Sequence, residues 1–173
     1  MGWTKLHHAV LEGDTASVRS LLAEISTFHL KNAYLLDAKD KIGATALHWA
    51  CSEGYDEIVV SLLEAGADKD ARDNQGRSPL HYAVRQSNAD VVSSLLAASV
   101  DTHAQDNNGL NPLLGAALAG QHANVGMLLQ AGAVWDSKEA LGGTPLIQAE
   151  NRAKVLREAG ACTKTWALAE HLF

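Results

Sequence analysis

The chain is short of cysteine, aromatic residues and positive charge, and each shortage narrows what it can be. Its two cysteines, Cys51 and Cys162, lie far apart and form no CxxC pair, so a reduced, intracellular thiol pair is expected. Aromatic residues make up only 5% of the sequence while Ala and Leu abound, a balance that favours closely packed helices over sheets. Lys and Arg number 14 against 20 acidic residues, and the net charge of −6 is the reverse of what nucleic-acid binding calls for. No run of 18 apolar residues exists, so no membrane-spanning helix is expected. The opening MGWTKLHHAV has no signal-peptide core, and Leu6 stands where a myristoylation signal needs Ser or Thr. Cytosol or nucleus is the expected compartment.

Catalytic signatures are missing too. There is no GxSxG and no HExxH. The Gly142–Gly143 pair ahead of Thr144 has neither the spacing nor the lysine of a phosphate-binding loop. The expectation is a protein without catalytic residues, cofactor or metal.

What the chain does have is repetition. GATALHWA, GRSPLHYA, GLNPLLGA and GGTPLIQA begin at Gly43, Gly76, Gly109 and Gly142, each 33 residues from the next. Leu47, Leu80, Leu113 and Leu146 keep the same step, as do Ala50, Ala83, Ala116 and Ala149. So do Asp40, Asp73, Asp106 and Glu139, and the pairs Leu62–Leu63, Leu95–Leu96 and Leu128–Leu129. A fixed period of this length marks stacked units of two elements each.

Each unit reads as two short helices. Thr45, Ser78, Asn111 and Thr144 are N-caps whose side-chain oxygens can take up a free N–H of the first turn. Pro79, Pro112 and Pro145 follow at the first helical position, where a missing N–H costs nothing. Gly54 and Gly120 turn the chain, the second helix carries Ile58, Val59, Leu62 and Leu63 on one face, and Gly66 and Gly132 end it. In unit three Ser87 and Ser99 occupy these glycine positions, which predicts two strained left-handed residues and a weaker unit. Helices this short are unstable alone and must bury their stripes on neighbouring pairs.

The TALHWACSEGYDEIVVSLLEAGAD segment from Thr45 and SPLHYA from Ser78 resemble the T-P-L-H-x-A and G-A-D pattern of the ankyrin repeat family, over nearly the whole chain. That resemblance implies an all-α solenoid of helix-turn-helix pairs with short β-turn or hairpin loops, one domain over 1–173. Its units would be 2–39 with an insertion, 40–72, 73–105, 106–138 and a truncated 139–162, followed by a C-terminal cap at 163–173. The interval from Leu6 to Leu47 is 41 residues rather than 33, which places eight extra residues between Leu22 and Asp40. That insertion, ISTFHLKNAYLL with Phe28, Tyr34, Leu35 and Leu36, either lengthens a helix and covers the end of the core or presents a second contact surface. Trp135 replaces a polar tip residue and would pack on the tail or mark a contact.

His7, His48 and His81 share one repeat position. The resemblance makes them structural ties between turns rather than ligands or bases, and Leu114 and Ile147 fill the same position in units four and five. Asp68 and Asp101 are read as turn residues.

The resemblance further implies that first helices and loop tips line a concave face where a protein partner docks. On that face the register places Trp3, Trp49 and Tyr82 with Ile42 and the cations Lys39, Lys41, Arg72, Arg77 and Arg85. Aromatics and Arg dominate interface hot spots. The expected function is a monomeric interaction module of scaffold, adaptor or inhibitor type that takes an acidic or extended segment of another protein. The alternatives are a subunit or fragment of a larger protein, an enzyme with a dispersed site, and a nucleic-acid binder. The aromatics could also simply pack between units while the cations stay solvated.

Overall fold

A computed structural model describes residues 3–27 and 33–134. The expected fifth unit and cap lie outside these residues, with Trp135, Gly142–Gly143, Thr144, Pro145 and Cys162, as does Phe28 of the insertion. The described residues form nine helices and no strand: α1 (Lys5–Leu11), α2 (Thr15–Thr27), α3 (Ala33–Leu36), α4 (Ala46–Glu53), α5 (Asp56–Glu64), α6 (Pro79–Ala83), α7 (Ala89–Ala97), α8 (Pro112–Leu118) and α9 (His122–Gln130).

Sequence period becomes packing period. The first helices of units one to four, α1, α4, α6 and α8, each lie against the next, and α2, α5, α7 and α9 do the same in a second layer. Leu6, Leu47, Leu80 and Leu113 occupy matching buried places in one continuous core, with Ala9, Ala50, Ala83 and Ala116 beside them. Val18, Val59, Val92 and Val125 supply the second layer. Each such Leu contributes about 2 kcal/mol by leaving water, so a unit's apolar stripe is worth most of its stability. Cys51 is a free thiol in this core, and burial pushes its pKa up.

The helix starts are where the N-cap residues predict. Thr45, Ser78 and Asn111 are extended N-caps, Thr4 does the same for α1, and Pro79 and Pro112 open their helices. Gly54, Gly120, Gly66 and Gly132 are all left-handed.

Unit three corrects one expectation. Ser99 has φ 57° and is the one non-glycine with positive φ among the described residues, whereas Ser87 is not left-handed. The chain avoids strain at Ser87 by ending α6 early: α6 has five residues where α4 has eight. Three carbonyls at and just past the end of α6 accept hydrogen bonds from unit four. Asn124, buried in α9, donates from Nδ2 to Val84 O at 3.1 Å and Gln86 O at 2.8 Å. Gln121 donates to Arg85 O at 3.4 Å and accepts from Ser87 Oγ at 3.0 Å.

The insertion lengthens α2 to 13 residues against nine in α5 and adds α3. Leu36 of α3 joins the core. Lengthening α2 and burying Leu36 are thus part of what the insertion does.

Candidate functional site

The loop tips ahead of the first helices are built on one recurring aspartate. Asp40 Oδ1 accepts from the Ile42 and Ala44 backbone N–H groups, both at 2.9 Å. Asp73 Oδ1 accepts from Gln75 and Arg77 at 2.8 and 2.9 Å, and Asp106 Oδ1 from Asn108 and Leu110 at the same distances. Successive tips are laddered: Asn74 N–H donates to Ile42 O at 2.9 Å and Asn107 N–H to Gln75 O at 2.8 Å. The approach is so close that a Cβ on Gly76, whose φ is 74°, would lie 2.5 Å from Asn107 Oδ1.

The three histidines fasten these tips to the helices. Nδ1 of His7, His48 and His81 accepts the N–H of its own N-cap residue, at 3.3, 3.1 and 3.1 Å. Nε2 faces a backbone carbonyl of the following unit: Ala44 at 3.2 Å, Arg77 at 3.0 Å and Leu110 at 3.0 Å. A backbone N–H can only donate and a carbonyl can only accept, so each ring is neutral with its proton on Nε2. Burial lowers all three pKa values, that of His48 to about 4. In unit four Leu114 replaces the histidine, and Asn111 both caps α8 and supplies a side-chain donor to a backbone carbonyl. Its Oδ1 accepts from Leu114 N–H at 2.9 Å and its Nδ2 donates to Val134 O at 3.1 Å.

The aromatic residues lie along the face made by the first helices and tips. Trp49 and Tyr82 are half-buried at N4 of α4 and α6, and each points its polar hydrogen at the second oxygen of its loop aspartate. Trp49 Nε1 donates to Asp40 Oδ2 at 3.0 Å, and Tyr82 OH to Asp73 Oδ2 at 2.8 Å. The Tyr82 ring meets His48 edge-on, with centroids 5.2 Å apart. Trp3 is 43% exposed and stacks at a tilt on Trp49, 5.6 Å between centroids. Ile42, at a loop tip, is 44% exposed.

The five cations divide into two groups. Lys39 Nζ donates to Arg72 O at 2.8 Å, and Arg72 Nη1 to Gly76 O and Gln105 O at 2.7 and 2.8 Å, so both staple one tip to the next. Arg77 binds Asp73 Oδ2 through Nε at 2.8 Å and Nη2 at 2.7 Å, donates to Tyr82 OH at 2.8 Å, and lies 4.7 Å from the centre of that ring. Burial pushes the Asp73 carboxyl up, but hydrogen bonds from Arg77, Tyr82 and the Gln75 backbone outweigh it, and the pKa falls below the ordinary value. Burial and the Asp73 carboxylate raise the Tyr82 pKa. Lys41 and Arg85 are exposed, and their cationic groups bond to no described residue.

A sequence model of the family described as Ankyrin repeats (3 copies) matches residues 6–106 and again 80–161, most of the chain. The chain belongs to the ankyrin repeat family. Ankyrin repeats are protein-interaction modules, and the relatives of this ankyrin stack are varied. It is 37% identical over 68 residues to protein phosphatase 1 regulatory subunit 27 of Homo sapiens, covering 39% of each chain. It is 41% identical over 63 residues to the E3 ubiquitin-protein ligase KEG of Arabidopsis thaliana, 35% of this chain and 4% of that one. It is 41% identical over 66 residues to a transient receptor potential cation channel subfamily A member 1 homolog of Caenorhabditis elegans, 38% of this chain and 5% of the channel. The match thus spans well under half the length of each relative.

Among the described residues no three His, Cys, Asp or Glu side chains gather as a metal group, and no helix is long and apolar enough to cross a membrane. Sequence reasoning missed the roles of Asp40, Asp73 and Asp106, although the nine-residue lead of Asp40 over Trp49 and of Asp73 over Tyr82 was a usable signal. It also missed Asn124, a polar residue where Ile58 and Val91 stand in other units.

Proposed function

We propose that this chain is a non-catalytic interaction module of scaffold, adaptor or inhibitor type, which binds an acidic or extended segment of another protein on the concave side of its first helices and loop tips. The observation that carries this reading is the line of Trp3, Trp49 and Tyr82 with Ile42, Lys41 and Arg85 at its edge. Rigid aromatics half-sunk in a scaffold offer contact area at little entropic cost, and two cations not spent on the scaffold offer charge for a partner. Trp49, Tyr82, Lys39, Arg72 and Arg77 serve the same face by holding it rigid, and Trp49 and Tyr82 also present their exposed edges. A relative named as a regulatory subunit of a phosphatase favours the adaptor or inhibitor role. The short matches within a ligase and a channel fit the alternative that such a stack works as one part of a larger protein.

The test is a pull-down from native extract with the full chain, wild type against the Trp3→Ala, Lys41→Glu, Arg85→Glu triple variant. None of the three side chains makes a hydrogen bond among the described residues, so helicity should stay unchanged while a specific partner is lost. A partner retained at equal strength by a folded triple variant refutes the placement. Trp49 is a poorer choice, because removing it also takes away the donor to Oδ2 of the buried Asp40 carboxylate.

A further inference from the structure

Unit four keeps the loop aspartate of units two and three but lacks the aromatic that completes it. Gly115 occupies N4 of α8, the place of Trp49 in α4 and Tyr82 in α6. Asp106 Oδ1 caps its tip as Asp40 and Asp73 do, yet among the described residues its Oδ2 receives only the Asn108 Nδ2 group at 3.5 Å. Asp40 and Asp73 are buried, and Asp106 is half-buried. A Cβ on Gly115 would meet just one described atom within 4 Å, Val84 Cγ2 at an ordinary 3.7 Å. One turn along the helix Leu118 is 56% exposed. Across the notch stands His81, which by register presents to it what His48 presents to the Tyr82 ring.

We propose that unit four carries a socket for a donor-bearing aromatic side chain, Tyr or Trp, of a partner protein, seated over Gly115 with its O–H or indole N–H on Asp106 Oδ2. The chain itself supplies the template. Twice over it builds this contact from its own ring, at 3.0 Å from an indole and 2.8 Å from a phenol. A ring with a polar hydrogen meets both needs of the notch, apolar contact beside Val84 Cγ2 and a donor for a carboxylate oxygen whose described donor stands at 3.5 Å. Phe would leave that oxygen desolvated and unpaired, and a partly buried acceptor without a donor is costly. The socket deepens the reading of this face as a protein-binding surface and rests on it, adding what the partner brings.

The experiment is a titration of the full-length 15N-labelled chain with N-acetyl-tyrosinamide, N-acetyl-tryptophanamide and N-acetyl-phenylalaninamide, followed by amide shifts. The tyrosine and tryptophan amides should give saturable shifts centred on Asp106, Gly115 and Leu118, with the phenylalanine amide at least several-fold weaker. Gly115→Tyr, which fills the notch from within, and Asp106→Asn, which keeps Oδ1 for the tip but turns the second position into a donor, should each abolish the saturable shifts. The Gly115→Tyr side chain should show the protected hydroxyl proton expected of a Tyr82-like bond. No saturable shift in wild type, equal response to all three amides, or unchanged shifts in folded Gly115→Tyr overturns the socket. The pull-down separates this outcome from failure of the broader reading. A partner lost by the Trp3, Lys41, Arg85 variant but kept by Gly115→Tyr sinks the socket alone, and a partner indifferent to the triple variant sinks the face.

Discussion

Acidification should loosen the stack through His48, and the size of the effect follows from its bonds. The folded ring must be neutral, because Nδ1 accepts from Thr45 N–H and Nε2 donates to Arg77 O. Burial, the largest influence, holds its pKa at about 4 against an ordinary 6.5. The unfolded chain therefore binds a proton first as pH falls, so stability is full above about 6.5 and drains away as pH drops towards 4. At about 1.4 kcal/mol per pH unit, His48 alone should cost the fold about 3 kcal/mol between pH 7 and pH 4. His7 and His81 shift the same way and add to it. The control is His48→Leu, patterned on Leu114, which sits buried at the same position in unit four. At pH 7 the variant should be less stable, since the Arg77 carbonyl loses its donor. Urea unfolding at pH 7, 5.5 and 4 should then show the gap between the two proteins shrinking by about 3 kcal/mol. A gap that stays constant across that range would mean the ring is not held neutral, and the cross-unit bond assigned to it would be wrong.

Other outcomes follow from single contacts. Ser99→Gly should stabilise by about 0.5–1 kcal/mol in denaturant unfolding, because the left-handed φ of 57° strains a residue with Cβ; destabilisation would contradict it. Asn124→Val restores the apolar residue of other units but strips the Val84 and Gln86 carbonyls of their donor, and should lower stability by about 1–3 kcal/mol. Gly76→Ala should cost more than about 1 kcal/mol, read as a lowered urea midpoint, since the new methyl meets both a left-handed backbone and Asn107. Amide exchange should be faster in α6 and α7 than in α4 and α5, because unit three has the shorter first helix and the strained cap.

Periodicity carried most of the architecture into view. Leu47, Leu80 and Leu113 sit in equivalent places because a 33-residue step leaves no other way to bury identical stripes. The N-caps and prolines were legible for the same reason: their chemistry is local. What stayed hidden was chemistry between units. Lys39 and Arg72 read as free cations, yet each ends on a backbone carbonyl of the tip beyond it, a partner that no side-chain pattern announces. Ser87 read as strained because a fixed backbone was assumed, whereas the chain shortened α6 and let Asn124 answer from the next unit. The face was thus visible in outline, with the division of its charged residues between scaffold and surface legible only in three dimensions.

That answer from Asn124 gives the array a fixed order. A stack of interchangeable modules could be shuffled or duplicated at will, but here the irregular third module and its corrective neighbour form an inseparable couple. A second copy of residues 73–105 placed after the first would present Val91 where an amide is required. Duplicating residues 40–72 should therefore cost less stability than duplicating 73–105, whose first copy would lose the Asn124 bonds.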